Sequence, residues 1–177
     1  MKPLSYLSND IITLRALEPT DIDTLYRWEN DSTLWETGNA IAPFSRLQLW
    51  KYIQSYDGTI HTTNQLRLIV ELLATHEAIG TIDLYDYDPR NNRCYVGILI
   101  DSKYQRQGYG TQALTLANRY ATEVLGIHSL AAIIATDNTP SLKLFTACNF
   151  TPTATLKDWL KRGTTYIPAH LLQYISC

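Results

Sequence analysis

Gln105-Arg106-Gln107-Gly108-Tyr109-Gly110-Thr111 is the most informative stretch of this chain. An apolar run, Cys94-Tyr95-Val96-Gly97-Ile98-Leu99-Ile100, precedes it, and a helix-like segment from Thr111 to Leu125 follows. A strand that ends in a glycine-rich turn and feeds a helix leaves several backbone N–H groups unpaired and pointing one way. With the helix dipole behind them, such donors form a cradle for phosphate. Gly108 and Gly110 let the backbone approach a ligand that a Cβ would hold off. An ordinary tight strand-to-helix turn is the alternative reading of two glycines. A lysine-bearing phosphate loop is excluded, because Thr111 follows Gly110 with no lysine between them. A dinucleotide fingerprint is excluded too, since it needs three glycines near the start of a βαβ unit.

Outward from that stretch, alternation in Ile11 to Ala16 predicts a first strand. Pro19 opens a helix that carries Ile22, Leu25, Tyr26 and Trp28 at helical spacing. A polar, aromatic loop runs from Asn30 to Phe44. Ser45-Arg46-Leu47-Gln48 has the form of a capping box and predicts a second helix through Trp50 and Ile53. Gln65 to Leu73 and Ile79 to Tyr85 read as strands joined at Thr75-His76-Glu77. Asp86 to Asn92 reads as a turn. The short apolar run Ser129 to Ala135 suits a central buried strand, and Pro140 suits the first turn of a helix. Thr151 to Leu160 and Tyr166 to Ile175 form a closing pair of strands around Arg162-Gly163. The expectation is one α/β domain with a mixed, mostly antiparallel sheet.

Composition narrows the function classes. Hydrophobic residues make up 45% and charged residues 18% of the 177, the profile of a soluble globular protein. A formal net charge of −2 gives no general pull toward nucleic acid or an anionic membrane, so neither is expected as a partner. Met1 to Ser5 lacks the apolar core of a signal peptide, and no apolar run approaches membrane-spanning length. Cys94, Cys148 and Cys177 are odd in number and lack metal-ligand spacing. They read as reduced thiols of a cytoplasmic protein, with no metal site and no catalytic role.

The spacing Gln105-x-x-Gly108-x-Gly110 resembles the pyrophosphate loop of the GNAT acyltransferases. Two further blocks follow that family's order. One is Thr13-Leu14-Arg15-Ala16-Leu17-Glu18-Pro19-Thr20-Asp21-Ile22; the other is Asn138-Thr139-Pro140-Ser141-Leu142-Lys143-Leu144-Phe145 with Cys148-Asn149-Phe150. The resemblance covers nearly the whole chain, so residues 1–177 are expected to form a single N-acetyltransferase domain. The opening block and Arg162-Gly163-Thr164-Thr165-Tyr166 are most similar to the branch of spermidine, polyamine, ribosomal-protein and protein N-terminal acetyltransferases.

That resemblance implies a GNAT fold of about seven strands and about four helices, with splayed central strands that hold acetyl-CoA. The pantetheine arm would lie along Gly97, Ile98, Leu99 and Ile100. The pyrophosphate would sit on the amides of Arg106, Gln107, Gly108, Tyr109 and Gly110, with the Thr111 hydroxyl adding a bond. Gln105 would open the helix. Arg106 has two readings, a contact to the outer phosphate or a solvated side chain. Asn138 would touch the pantetheine arm while capping its helix, and Ser141 would lie beside the cofactor.

The implied reaction is attack of a primary amine on the thioester within a ternary complex, acetyl-CoA being the donor. Two departures bear on it. The tyrosine that protonates the leaving sulfur in many members is Phe145 here, and a common glutamate before the strand glycine is Tyr95. Tyr95, Asp83 and Tyr85 are the candidate replacements, and Glu36 is a candidate for holding a cationic acceptor. A polyamine or other small amine is the favoured acceptor. A peptide or ribosomal-protein amine, or a CoA-binding regulatory domain without catalysis, is the alternative. A homodimer is left open.

Overall fold

Alternating buried and half-buried positions in Ile12–Arg15 make the first strand, β1. In the computed structural model, which describes residues 6–31, 42–56 and 59–176, six more strands follow. They are β2 (Leu66–Leu72), β3 (Ala78–Asp88), β4 (Arg93–Ile100), β5 (Ser129–Ala135), β6 (Thr151–Arg162) and β7 (Thr165–Ile175). All seven join one sheet in the order β1-β2-β3-β4-β5-β7-β6. Every neighbouring pair is antiparallel except β4 and β5. The helices are α1 (Ile22–Glu29), α2 (Arg46–Ser55), the single turn α3 (Ile60–Thr63), α4 (Tyr109–Glu123) and α5 (Thr139–Ala147). None of them is long and apolar enough to cross a membrane.

The start signals work as their chemistry requires. Ser45 Oγ accepts from the Gln48 amide at 3.1 Å, and Gln48 Oε1 accepts from the Ser45 amide at 2.7 Å, closing the capping box of α2. The front block forms around Arg15. Its guanidinium donates twice to Asp21 at 2.8 Å and also pairs with Glu71, tying β1, the start of α1 and β2 together. Asp21, only 4% exposed, is satisfied by that fork and by the Glu18 amide. Pro19 opens a short 3-10 turn, Pro19–Asp21, and α1 itself begins at Ile22.

Two expectations need correction. Asp86 and Asp88 belong to β3 rather than to a turn. Asp86 takes a φ of 51° and the register with β4 slips between Tyr85 and Asp88, a bulge that lets the strand resume. The turn is confined to residues 89–92. Helix α4 starts at Tyr109, two residues before Thr111, because Gly108 in a left-handed conformation serves as its N-cap.

The two faces of the sheet are covered differently. Leu66, Leu68, Ile82, Leu84 and Val96 pack with Ala113, Leu114 and Ala117 of α4 and with Phe145 and Phe150 in the main core. Each fully buried side chain of this kind contributes roughly 1.5–3 kcal/mol. On the other face Ile69 packs with Leu25 and Trp28 of α1 and with Leu49 and Ile53 of α2. Near the middle the sheet divides. Pairing between β4 and β5 stops at Tyr95↔Ala131, while β4 continues on β3 to Ile100 and β5 continues on β7 to Ala135. The splayed central strands that the family resemblance implied are present.

Candidate active site

Beyond the divide, β4 ends at Ile100 and Asp101 leads the chain into the glycine-rich loop. Asp101 Oδ1 accepts from the Lys103 amide at 3.1 Å, and Oδ2 accepts from Arg27 Nη2 and from Trp28 Nε1, each at 2.9 Å. Burial would raise the Asp101 pKa, but these donors outweigh it and hold the carboxyl below its ordinary value. The loop is then braced from within. Gln105 Nε2 donates to the Ile100 carbonyl at 2.9 Å and Gln107 Nε2 to the Lys103 carbonyl at 3.0 Å. Both glutamine side chains thus hold the turn.

Arg106 takes a φ of 60° and Gly108 a φ of 83°, so the chain reverses before α4 begins. The amides of residues 106–111 donate to no acceptor among the described residues, and the N-terminal end of a fifteen-residue helix stands behind them. A Cβ built on Gly108 meets nothing within 4 Å. At Gly110 the close neighbours are protein, since a Cβ there would lie 3.4 Å from Leu144 Cδ2 and 3.7 Å from Ile100 Cγ1. Gly108 therefore supplies the conformation, and Gly110 supplies close packing of α4 on α5. A row of free amides at a helix start fits a phosphate-bearing cofactor.

Gly97, Ile98, Leu99 and Ile100 are half-buried on the part of β4 that β5 leaves unpaired. Asn138 is the N-cap of α5, accepting from the Ser141 amide at 3.2 Å through Oδ1. Its Nδ2 has no partner among the described residues. Ser141 is half-buried in the first turn of α5. Phe145 is 3% exposed, and its ring meets Phe150 edge-on with centroids 5.0 Å apart. The structure places that ring in the main core, where a hydroxyl would need a partner.

Across the sheet, under α1 and α2, the register lines up Arg67, Asp83 and Gly97 on three adjacent strands. Arg67 Nε donates to Asp83 Oδ1 at 2.7 Å and Nη1 donates to Glu29 Oε1 at 2.8 Å. Gln65 Nε2 reaches the same Asp83 oxygen at 3.4 Å. The guanidinium lies 5.7 Å from the Tyr52 ring, and Tyr52 lies 5.6 Å from Tyr56. The Tyr52 hydroxyl has no hydrogen-bond partner among the described residues, and burial raises its pKa. Tyr56 exchanges hydrogen bonds with the backbone of Arg67, and burial pushes its phenol up to about 12. Tyr85 and Tyr95 stack at 5.6 Å beside this row, and burial likewise pushes Tyr85 to about 12.

The candidates named from sequence thus fall into two groups. The loop, Asn138 and Ser141 border the divide from the α4 and α5 side. Asp83, Tyr85 and Tyr95 gather on the opposite face, around Gly97. Glu36 lies outside the described residues. Sequence reading passed over Glu29, Tyr52 and Arg67. The available signal was the alternation Gln65-Leu66-Arg67-Leu68, which sends Arg67 to the face away from two core leucines. Nothing local says that α2 covers that face.

A family model described as an acetyltransferase (GNAT) domain matches residues 12–151. An uncharacterized N-acetyltransferase of Bacillus licheniformis, p20, is 25% identical over 96% of both chains. A second, YoaA of Bacillus subtilis, is 22% identical over 90% of this chain and 91% of its own length. Among solved structures, the spermidine N-acetyltransferase of Vibrio cholerae in complex with CoA and spermine superposes with a TM-score of 0.82. It shares 22% identity and covers 94% of this chain and 96% of its own. A GNAT-family acetyltransferase from Bacillus anthracis gives 0.80 at 16% identity, over 96% of this chain and 97% of its own. The matched stretch carries both the divided strands and the loop that follows the first of them, and the chain belongs to the GNAT acetyltransferase family of acyltransferases.

Proposed function

We propose that the protein moves an acetyl group from acetyl-CoA to a primary amine by direct attack within a ternary complex, with polyamines and other small amines as the favoured acceptors. The observation that carries this reading is the run of free amides over residues 106–111 beside a strand edge that β5 has left. The GNAT family uses acetyl-CoA, and the V. cholerae neighbour holds CoA and spermine. When bound, acetyl-CoA supplies the activated thioester.

The residues of this chain bind and orient. The amides of Arg106, Gln107, Gly108, Tyr109 and Gly110, with the Thr111 hydroxyl, hold the pyrophosphate, each charge-assisted bond being worth roughly 1.5–3 kcal/mol. The free edge of β4 at Gly97, Ile98, Leu99 and Ile100 takes the amides of the pantetheine arm. Asn138 Nδ2 is free to donate to the same arm because its Oδ1 already caps α5. Tyr95 and Asp83, on the acceptor side, are the candidates for proton transfer, and Tyr85 is a candidate to line the amine; Glu36, the further candidate from sequence, lies outside the described residues. Positioning carries most of such a reaction, and an acid or base adds ~10²–10⁴-fold. The missing phenol at Phe145 is therefore compatible with turnover, since a thiol leaves readily. Buried, free Cys94 and Cys148 suit a reducing cytoplasm.

The burial of Phe145 favours a second reading, a CoA-binding domain without catalysis. Release of free CoA from acetyl-CoA across a panel of small amines, polyamines and peptide amines decides between them. Release with a small amine supports the enzyme. Acetyl-CoA binding without release under any amine supports the regulatory domain.

A further inference from the structure

Arg67 is a half-buried cation that the reaction outlined above does not use. Burial would lower its pKa, but the charge and hydrogen bond of Asp83, together with Glu29, outweigh that and hold it above its ordinary value. It stays charged at any working pH. Both of the hydrogen bonds that Asp83 accepts, from Arg67 Nε and Gln65 Nε2, fall on Oδ1. Asp83 Oδ2 has no partner among the described residues, and the side chain retains 16% exposure. Glu29 and Asp83 share the one guanidinium, so Arg67 alone does not neutralise the Asp83 carboxylate.

The position of that charge matters. Asp83 is the register partner of Gly97, two residues past the last pair between β4 and β5. Gly97 contributes no side chain, and Tyr85 Cε1 lies 3.6 Å from where its Cβ would be. Tyr85 in turn stacks on Tyr95. A carboxylate oxygen without a donor, next to two aromatic rings, is a setting that favours an ammonium group.

We propose that Arg67 is a positioning residue for the acceptor: tied at Nη1 to Glu29 and at Nε to Oδ1 of Asp83, it fixes the Asp83 carboxylate beside Gly97 and leaves Oδ2 to take an ammonium of the amine substrate. The inference takes its ligand from the acetyl-transfer reading, although the contact itself does not depend on turnover. An attacking nitrogen must be neutral, so the nitrogen held at Asp83 is a second one on the same acceptor. Of the two candidates for proton transfer, Asp83 then holds charge and Tyr95 remains. A diamine gains from this contact and a monoamine of equal length does not.

The test uses diaminobutane and butylamine as acceptors at saturating acetyl-CoA. Asp83→Asn should raise the diaminobutane KM about tenfold more than the butylamine KM, the cost of one charged contact, and leave the acetyl-CoA KM within about twofold. A loss of kcat equal for both amines, the mark of proton transfer at Asp83, overturns the inference. Arg67→Lys, which keeps the charge and loses the fork, should raise the diaminobutane KM by a smaller factor at unchanged kcat. Equal KM changes for both amines, or a change confined to melting temperature and acetyl-CoA KM, would reduce Arg67 to a structural role and overturn the inference. Calorimetric titration of diaminobutane onto the CoA-saturated protein reads the same contact without chemistry. Binding in wild type that Asp83→Asn removes sustains the inference, and a wild-type protein that does not bind diaminobutane defeats it. A protein that binds diaminobutane through Asp83 and never releases free CoA refutes acetyl transfer and keeps the positioning role.

Discussion

Where β4 passes into the loop, recognition is offered by the backbone: consecutive amides over residues 106–111, braced by two glutamines that hydrogen-bond back into the turn. Across the sheet, under α1 and α2, it is offered by side chains, with Arg67 between two carboxylates and tyrosines around them. The first region depends on a conformation that many sequences can adopt, provided that the left-handed positions are filled. The second depends on every member being present, because removing one partner from a half-buried ionic cluster leaves another uncompensated. On the proposed reading, one face keeps a constant ligand while the other varies with the acceptor.

The largest effect should come from breaking the backbone region. Gly108→Asp has room for its side chain, and Asp tolerates a left-handed φ better than most residues, so the fold should survive. A carboxylate beside donors meant for phosphate should weaken acetyl-CoA binding by about a hundredfold or more, close to 2.7 kcal/mol. Wild type should gain thermal stability with acetyl-CoA concentration as RT ln(1 + [L]/Kd), and the variant should not. Equal shifts in both proteins would remove the backbone half of the comparison.

Phe145→Tyr asks whether the boundary between the two regions lies where the packing puts it. With the ring edge against Phe150 in the core, a new hydroxyl lacks a partner and should cost about 1–3 kcal/mol with no gain in kcat. A denaturant midpoint that does not move, together with faster turnover, would put that edge in the cofactor gap.

Smaller again is the side-chain region's share of the chemistry. Tyr95→Phe should lower kcat by about tenfold, because water replaces the phenol only in part. Tyr85→Phe should leave the pH–rate profile unchanged below about pH 10, since burial keeps that phenol neutral up to about 12. A full loss of the alkaline limb in Tyr85→Phe, with Tyr95→Phe at wild-type rate, would exchange the two roles.

The smallest effect concerns Asp101, which links the regions by joining Arg27 and Trp28 of α1 to the head of the loop. Its folded pKa lies below the ordinary 3.8, so the unfolded chain takes up the proton first. The stabilisation is complete above about pH 5 and disappears as pH falls through 3.8 and then through the folded value. Urea midpoints at neutral and acid pH should converge less steeply in Asp101→Asn than in wild type. Parallel curves would show that the link carries no linkage energy.

What could be seen in the sequence follows the same division. The glycine-rich turn into α4, the capping box at Ser45 and the run Ser129 to Ala135 are local signals, and each formed the element its residues dictate. The break in the sheet was anticipated only through family likeness, since no residue near Val96 announces that pairing will stop. Asp86 misled because Asp-Tyr-Asp-Pro-Arg-Asn-Asn has the composition of a turn, while tertiary pairing with β4 carried the strand on to Asp88. The Arg67 cluster was hidden for another reason. Its members are separated by as many as 54 residues, and only the register of three strands and the covering of α2 bring them together. Phe145 could be aligned with the family's acid position, but its burial is decided by Phe150 and could not be read from that alignment.

A sheet of seven strands ordinarily has two edges, yet this one acquires two more where β4 and β5 part company. Outer edges invite other sheets and are a hazard to a protein at high concentration. These inner edges face each other across a wedge that starts from paired-strand spacing, about 4.8 Å, at Tyr95 and Ala131. Such a wedge refuses a flat guest and admits a slender, linear one whose amides can complete the interrupted ladder. The molecule can thus display unsatisfied strand backbone in its interior without offering a template for aggregation.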